Sequence, residues 1–335
     1  MKITVKDLGV IKQAEFTLGE LTIICGLNNT GKSYITHATY GLLDYLRSNA
    51  DFEILDNMID KLFADGSVSV DIISHKKDIS KYLKDASENY SKILHMVFAG
   101  NTNLFNESAL SISFEGTETD PVPDQKIRMK LGTAERTVLS IQSAVNGDAL
   151  EVSLVVDKSS DDVPPRNIIK SMINDAMGEA IMNTLIPKPF LASAERTGAA
   201  IFQKELDFTR NRLLEMLGNK SVKLHPAQLL GKFSGEYPIA VRRNVDFIRD
   251  LPNITHKESF ISKSHKEILA SFHDIVGGEY KVSKNGEVQY IPSANRHIRL
   301  SLVESSSAVR SLLDIGFYLK HIAAPGDLLN PSCHL

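Results

Sequence analysis

The segment Gly26-Leu27-Asn28-Asn29-Thr30-Gly31-Lys32-Ser33 constrains this chain more than any other. It fits the pattern G-x-x-x-x-G-K-[ST], a loop whose backbone N–H groups cradle phosphate. Its flanks fit as well. Leu21-Thr22-Ile23-Ile24-Cys25 reads as a short buried strand running into the loop. Tyr34 to Leu46 then carries Ile35, Ala38, Leu42, Leu43 and Leu46 at helical spacing. Strand, loop and helix come in the order the chemistry needs. Glycines let the backbone curl with its N–H groups turned inward, and the helix N-terminus adds partial positive charge. In such a loop Lys32 reaches the β- and γ-phosphates and the Ser33 hydroxyl holds Mg²⁺. Asn28 and Asn29 are candidates for contact with the nucleotide or with a neighbouring subunit.

At about 150 residues per domain, 335 residues allow roughly two domains or one large domain with insertions. Hydrophobic residues make up 42% and charged residues 24%, enough to bury a substantial core rather than remain disordered. The net charge of −3 gives no global pull toward nucleic acid or anionic membrane. A local route to DNA would run through Arg242 and Arg243 with Lys220, Lys223 and Lys232, although charged residues usually just face water. The two cysteines, Cys25 and Cys333, form no disulfide framework or paired metal motif. Cys25 is expected to be a small buried hydrophobe. The N-terminus reads as a strand rather than a leader, and no run of 18 apolar residues occurs, so a cytoplasmic protein with no membrane partner is expected. The histidines show no H-E-x-x-H spacing, and no nuclease carboxylate cluster is visible.

Along the chain, 1–48 holds two N-terminal strands and the phosphate-loop unit, and 49–105 reads as a helical insertion with breaks near Asp65-Gly66 and Ile73-Ser74. Residues 106–160 alternate as antiparallel strands. In 161–218 a helix, Ile168 to Leu185, is followed by the strand Phe190 to Ala192 and a helix from Ala199 to a stop at Gly218. Residues 219–264 look like an irregular insertion. Residues 265–329 carry a helix over Lys266–Val276, a hairpin turning at Asn285-Gly286, a strand over Arg299–Val303 and a helix from Ala308 to Ile322. The last stretch, 330–335, interrupts a strand with Pro331.

Glu304-Ser305-Ser306-Ser307-Ala308 heads that last helix. Hydroxyls at a helix N-terminus are good anion ligands, and simple serine capping is the alternative. Glu195 and Arg196 follow the strand at Phe190, at the sheet edge where ligands of open α/β sheets gather. Arg196 would reach a phosphate there, or pair at the surface.

With these features the chain resembles the ABC-type P-loop ATPase heads of the SMC, RecF and OLD-nuclease lineage, found in DNA repair and anti-phage defence. The resemblance rests on the phosphate loop Gly26–Ser33, the strand-turn Phe190 to Gly198 with Gln203 in the helix beyond it, and the serines Ser305–Ser307 in the place of the ABC signature. It implies an α/β fold over 1–335 as a single head: a mixed sheet, an antiparallel N-terminal lobe and helical insertions. It further implies Mg²⁺ and ATP as ligands, with two copies sandwiching the nucleotide. Ser306 and Ser307 of one copy would touch the γ-phosphate held by the other, and Gln203 would take the Q-loop part. A DNA partner, or an effector or nuclease subunit, is implied in the same way. The serine motif departs from L-S-G-G-Q.

The third element of such heads is a strand ending in Asp-Glu, which supports Mg²⁺ and polarises the attacking water. Here Gly326-Asp327-Leu328-Leu329 begins such a strand, and the chain then reads Asn330 to Leu335 with no Asp-Glu pair. A chain shortened by a frameshift or early stop is the expectation, with a marginal or aggregation-prone product. The expected activity is therefore ATP binding with doubtful turnover. The competing reading is a non-catalytic remnant or regulatory partner of an effector subunit. A small-molecule P-loop kinase fits the insertions less well.

Overall fold

A computed structural model describes residues 1–52, 54–76, 79–114, 127–132, 137–144, 147–155, 164–202, 237–283 and 285–331. The chain is mixed α/β and divides into two compact units. The first holds Met1–Ile35, Gly41–Ile93 and Phe105–Lys188, and the second Thr36–Tyr40, Leu94–Leu104 and Pro189–Leu335.

In the first unit, β1 (Lys2–Leu8) pairs antiparallel with β2 (Ile11–Thr17) on one side and with β4 (Ala109–Ser113) on the other. Alternation puts Ile3, Val5, Leu110 and Ile112 on one buried face, and the register sets Ile3 opposite Ile112 and Val5 opposite Leu110. Helix α4 (Ile79–Lys92) lies against β4, where the Leu110 N–H donates to the Ser91 hydroxyl at 3.0 Å. The second sheet runs β3-β7-β6-β5, from Ser67–Asp71, Ala149–Leu154, Thr137–Ser143 and Arg128–Gly132. Its apolar face, with Val70, Leu139, Ile141, Leu150 and Val152, is covered by α2 (Asp56–Asp65) and α6 (Arg166–Leu185).

Helix α1 (Lys32–Ser48) buries Leu42, Leu43 and Leu46. Near its C-terminus Arg47 donates to the carbonyls of Ile186 (2.6 Å) and Met182 (3.3 Å) just beyond and within the end of α6. The Met182 carbonyl also accepts the Ile186 N–H at 2.8 Å, so the carbonyl that Arg47 newly satisfies is that of Ile186, and its cation is the favoured charge at a helix C-terminus.

In the second unit, β8 (Pro189–Ala192) and β12 (Leu328–Pro331) form a parallel pair, the only parallel pairing among the described strands. The unit also holds an antiparallel sheet of β9 (Gly278–Val282), β10 (Val288–Pro292) and the two-residue β11 (Leu300–Ser301). The helices among its described residues are the one-turn α5 (Leu94–Val97), α7 (Arg196–Ile201), α8 (Ile239–Ile254), α9 (Phe260–Ser264), α10 (Lys266–Val276) and α11 (Ser307–Phe317), with a 3₁₀ turn at Thr102–Leu104 and a π turn, Tyr318–Ile322, continuing α11. Ala200, Ile248, Leu251, Val288, Leu302, Leu313 and Phe317 form one buried cluster. Phe190 stacks on Tyr318 with centroids 4.3 Å apart and meets Phe247 edge-on, which fixes β8 against α8 and the π turn.

Several elements differ from expectation. Leu21–Cys25 pairs with no strand among the described residues, and Leu21 and Ile23 are 80% and 75% exposed. Cys25 is exposed rather than buried. A buried phosphate-loop strand needs hydrogen-bonded neighbours, and both edges of β1 are already taken by β2 and β4. Within the expected helical insertion, Ser67–Asp71 is a strand, because Val68 and Val70 alternate with polar residues and find β7 as partner. The described part of 219–264 is regular, consisting of α8 and α9. The strand expected over Arg299–Val303 shrinks to two residues and turns into the head of α11.

Candidate phosphate loop and the serine-headed helix

The candidate phosphate loop, Gly26–Ser33, lies in the first unit. Thr30 donates its hydroxyl to the Leu27 carbonyl at 2.8 Å, and Lys32 Nζ donates to the carbonyls of Gly26 and Leu27 at 2.7 Å each. Lys32 therefore curls back over the loop, with its ammonium on the concave turn where a phosphate chain would lie. Gly31 sits at φ 93°, a left-handed conformation that side chains rarely adopt. A Cβ at Gly31 would come within 2.7 Å of two Ile11 side-chain carbons, so the close approach of β2 also demands glycine. Asn29 is left-handed too, at φ 63°, the conformation asparagine tolerates best.

Gly31 is the N-cap of α1, and no side chain caps that N-terminus. The first intrahelical bond is Ile35 N–H to Gly31 carbonyl, 3.1 Å. A 17-residue helix thus presents its positive end to whatever the loop encloses. Ser33 is exposed in the first turn, where its hydroxyl can supply one Mg²⁺ ligand alongside phosphate oxygens. Among the described residues no three His, Cys, Asp or Glu side chains gather as a metal site. The lining thus fits a phosphate chain carrying its own Mg²⁺: a glycine-only curve, an ammonium and an uncapped helix end. Leu27 and Asn28 form the exposed tip of the loop.

The serine-headed helix lies in the second unit and is built differently. Ser306 is the N-cap of α11, and its hydroxyl accepts from Val309 N–H at 3.3 Å. Ser305 is buried, 5% exposed, and donates to the Ser301 carbonyl at 2.8 Å. Glu304 accepts from the Ser301 N–H and hydroxyl at 2.8 and 2.7 Å, which hold its carboxyl below the usual range. Arg310 folds back onto the Ser305 carbonyl. Ser306 and Ser307 remain exposed. Of the three serines, Ser305 is committed to structure, Ser306 to capping, and Ser307 stands in the open first turn.

Arg196 does not lie at the surface. It is 7% exposed, and its Nε donates to the Ser311 carbonyl at 2.6 Å. Its Nη1 donates to the carbonyls of Ala192 and Ser193. Glu195 is exposed, and its charge acts on the buried ring of His37, whose pKa burial pushes down against that pull. Gln203, Lys220, Lys223 and Lys232 lie outside the described residues. Arg242 and Arg243 stand half-buried on α8. No helix among the described residues is long and apolar enough to cross a membrane. The buried Asp314, with neither carboxyl oxygen hydrogen-bonded, is a functional candidate that sequence reasoning missed; nothing in the pattern of α11 separates it from a solvated helix acid. Compared with known proteins, the chain matches no family model, no curated protein and no solved structure.

Proposed function

We propose that Gly26–Ser33 binds the phosphates of Mg²⁺-ATP. The observation that carries this is Gly31: a left-handed residue, closed to any Cβ by Ile11, that opens an uncapped helix directly onto the loop. Lys32 would exchange its two carbonyl partners for β- and γ-phosphate oxygens, a stronger charge-assisted pairing. Ser33 would hold Mg²⁺. Asn28 and Asn29 would border the nucleotide.

The resemblance to ABC-type heads extends this to ATP-gated association of two copies in a DNA-associated or defence complex. Ser307, with Ser306 beside it, would approach the γ-phosphate held by the other copy. Ser305 contributes the fold of that turn rather than a ligand. Binding and association are the two steps proposed for this chain.

Equilibrium binding of Mg²⁺-ATP to the full chain tests the first step, with Lys32→Ala expected to weaken it at least tenfold. Equal binding by the two proteins would refute the loop assignment. Sedimentation with and without Mg²⁺-ATP tests the second. A mass increase with nucleotide that Ser307→Ala abolishes is the expected result, and a nucleotide-independent mass would refute it.

A further inference from the structure

In the second unit, the end of β8 meets α11 at a buried polar junction that nucleotide binding does not use. Asp314 is 1% exposed, and neither of its carboxyl oxygens has a hydrogen-bond partner. A carboxylate so placed lacks both the water and the donors that stabilise its charge. Arg196, from α7, is the cation acting on it, yet the guanidinium is directed at carbonyls, those of Ser311, Ala192 and Ser193. Ser311 precedes Asp314 by three residues in α11. The carbonyl that Arg196 holds and the carboxyl left without a hydrogen bond therefore lie along one side of the helix.

Among the described residues Arg196 is the one charge found to act on Asp314; the cations Arg242, Arg243 and Arg249 of α8 are half-buried. From β9, Tyr280 acts on Asp314 electrostatically, but its hydroxyl donates to the Val309 carbonyl at 2.6 Å. Helix α8 meets α11 through Ile248 and Leu251 against Leu313 and Phe317, and α10 through Phe272 beside Val309. The acids Asp246 and Asp250 of α8, and Lys266, Glu267 and Asp274 of α10, are exposed. In the π turn, Tyr318 bonds Asp327, and His321 faces the Lys257 carbonyl. Asn244 of α8 completes the junction through the Ser193 hydroxyl, at 2.6 Å. Burial pushes the Asp314 carboxyl up to about 7, with Arg196 pulling the other way.

We propose that Arg196 and Asp314 form a proton-controlled latch between the end of β8 and α11. With Asp314 protonated, the guanidinium stays on the carbonyls of Ala192, Ser193 and Ser311 and ties the strand end to the helix. When Asp314 releases its proton to solvent, carboxylate and guanidinium pair, and the strand-end carbonyls are freed. The turn carrying Glu195 is then uncoupled from the helix that Ser306 heads. The latch stands independently of the nucleotide reading, since none of its groups belongs to the phosphate loop.

Infrared difference spectra of the full chain, titrated across neutral pH, read the proton directly. A buried protonated-carboxyl C=O band should disappear with a midpoint of about 7, and Asp314→Asn should lack it. Hydrogen exchange at the amides of 192–196 and 311–315, corrected for intrinsic rate, should lose protection through the same midpoint in the wild type and stay constant in Asp314→Asn. If Asp314→Asn does not fold, Arg196→Lys is the second variant. It keeps the charge but not the fork, so it should retain the band, shift its midpoint and lose the pH-dependent protection. A folded wild type with no protonated-carboxyl band at about pH 6 overturns the latch. So does a band that titrates while exchange in both segments stays constant.

Discussion

In sequence the N-termini of α1 and α11 both carry the marks of an anion site, yet the two helix ends are built in opposite ways. Helix α1 begins at a left-handed glycine with no side-chain cap and leaves its positive end to the phosphate loop. Helix α11 begins with its own cap, Ser306, and with the Arg310 guanidinium folded onto the Ser305 carbonyl. The contrast reverses farther along. Half-buried Arg47 near the end of α1 donates to the carbonyls of Met182 and Ile186, whereas Asp314 within α11 is buried and finds no hydrogen-bond donor among the described residues. A helix end that lacks an internal partner marks where a ligand is needed, and a buried charge that lacks one marks where the structure can change.

The largest expected effect lies with Asp314. Its value in the folded chain is raised from 3.8 to about 7, so its contribution to stability is fully present below about 4 and lost as pH rises through 7. At 1.36 kcal/mol per unit this amounts to roughly 4 kcal/mol. Urea unfolding at several pH values should show a decline across that window that Asp314→Asn flattens. Next comes Gly31→Ala, which combines left-handed strain of about 1–2 kcal/mol with overpacking against Ile11 of about 1–3 kcal/mol. A loss of about 3 kcal/mol in denaturant unfolding is expected, and a neutral variant would show that the loop is not held as described.

Lys32→Ala should cost about 2 kcal/mol of Mg²⁺-ATP binding, roughly thirtyfold, the worth of a hydrogen bond to a charged group. It should cost the nucleotide-free protein less than about 1 kcal/mol, because the two carbonyls that Lys32 holds, those of Gly26 and Leu27, lie on an exposed turn. Ser306→Ala removes a working cap and should cost about 1 kcal/mol in stability, while Ser307→Ala should change it by less than about 0.5 kcal/mol. Equal losses for the two serines would erase the distinction between cap and open hydroxyl. The smallest effect is expected for Ile23→Thr. A buried phosphate-loop strand would lose about 1.5–3 kcal/mol there, whereas a side chain 75% exposed should change stability by less than about 0.5 kcal/mol.

Local signals were legible in the sequence because local geometry decides them. The period of apolar residues located α6 and α1, and α10 matches its expected bounds, Lys266–Val276. Asn285-Gly286 marked the β9–β10 hairpin, where Gly286 takes φ 80°. The glycine of the loop and the capping serine could both be named from residue type. What failed depended on partners distant in the chain. Leu21–Cys25 has the composition of a buried strand, but a strand is buried only if neighbours bond both of its edges, and composition does not report that. Arg196 looked like a surface ligand because its carbonyl acceptors at Ser311 come from 115 residues away. Ser67–Asp71 was hidden inside a helical stretch because its partner β7 lies far downstream.

The central claim is that the uncapped N-terminus of α1 is a nucleotide site, and thermal unfolding with Mg²⁺-ATP tests it most directly. At a hundredfold the dissociation constant, binding should add about 2.7 kcal/mol of stability. The wild type should melt at higher temperature with Mg²⁺-ATP than without, and Lys32→Ala, bound about thirtyfold more weakly, should gain only about 0.9 kcal/mol at the same concentration, about a third of the wild-type shift. Identical melting with and without nucleotide, or an equal shift in both proteins, would contradict the claim.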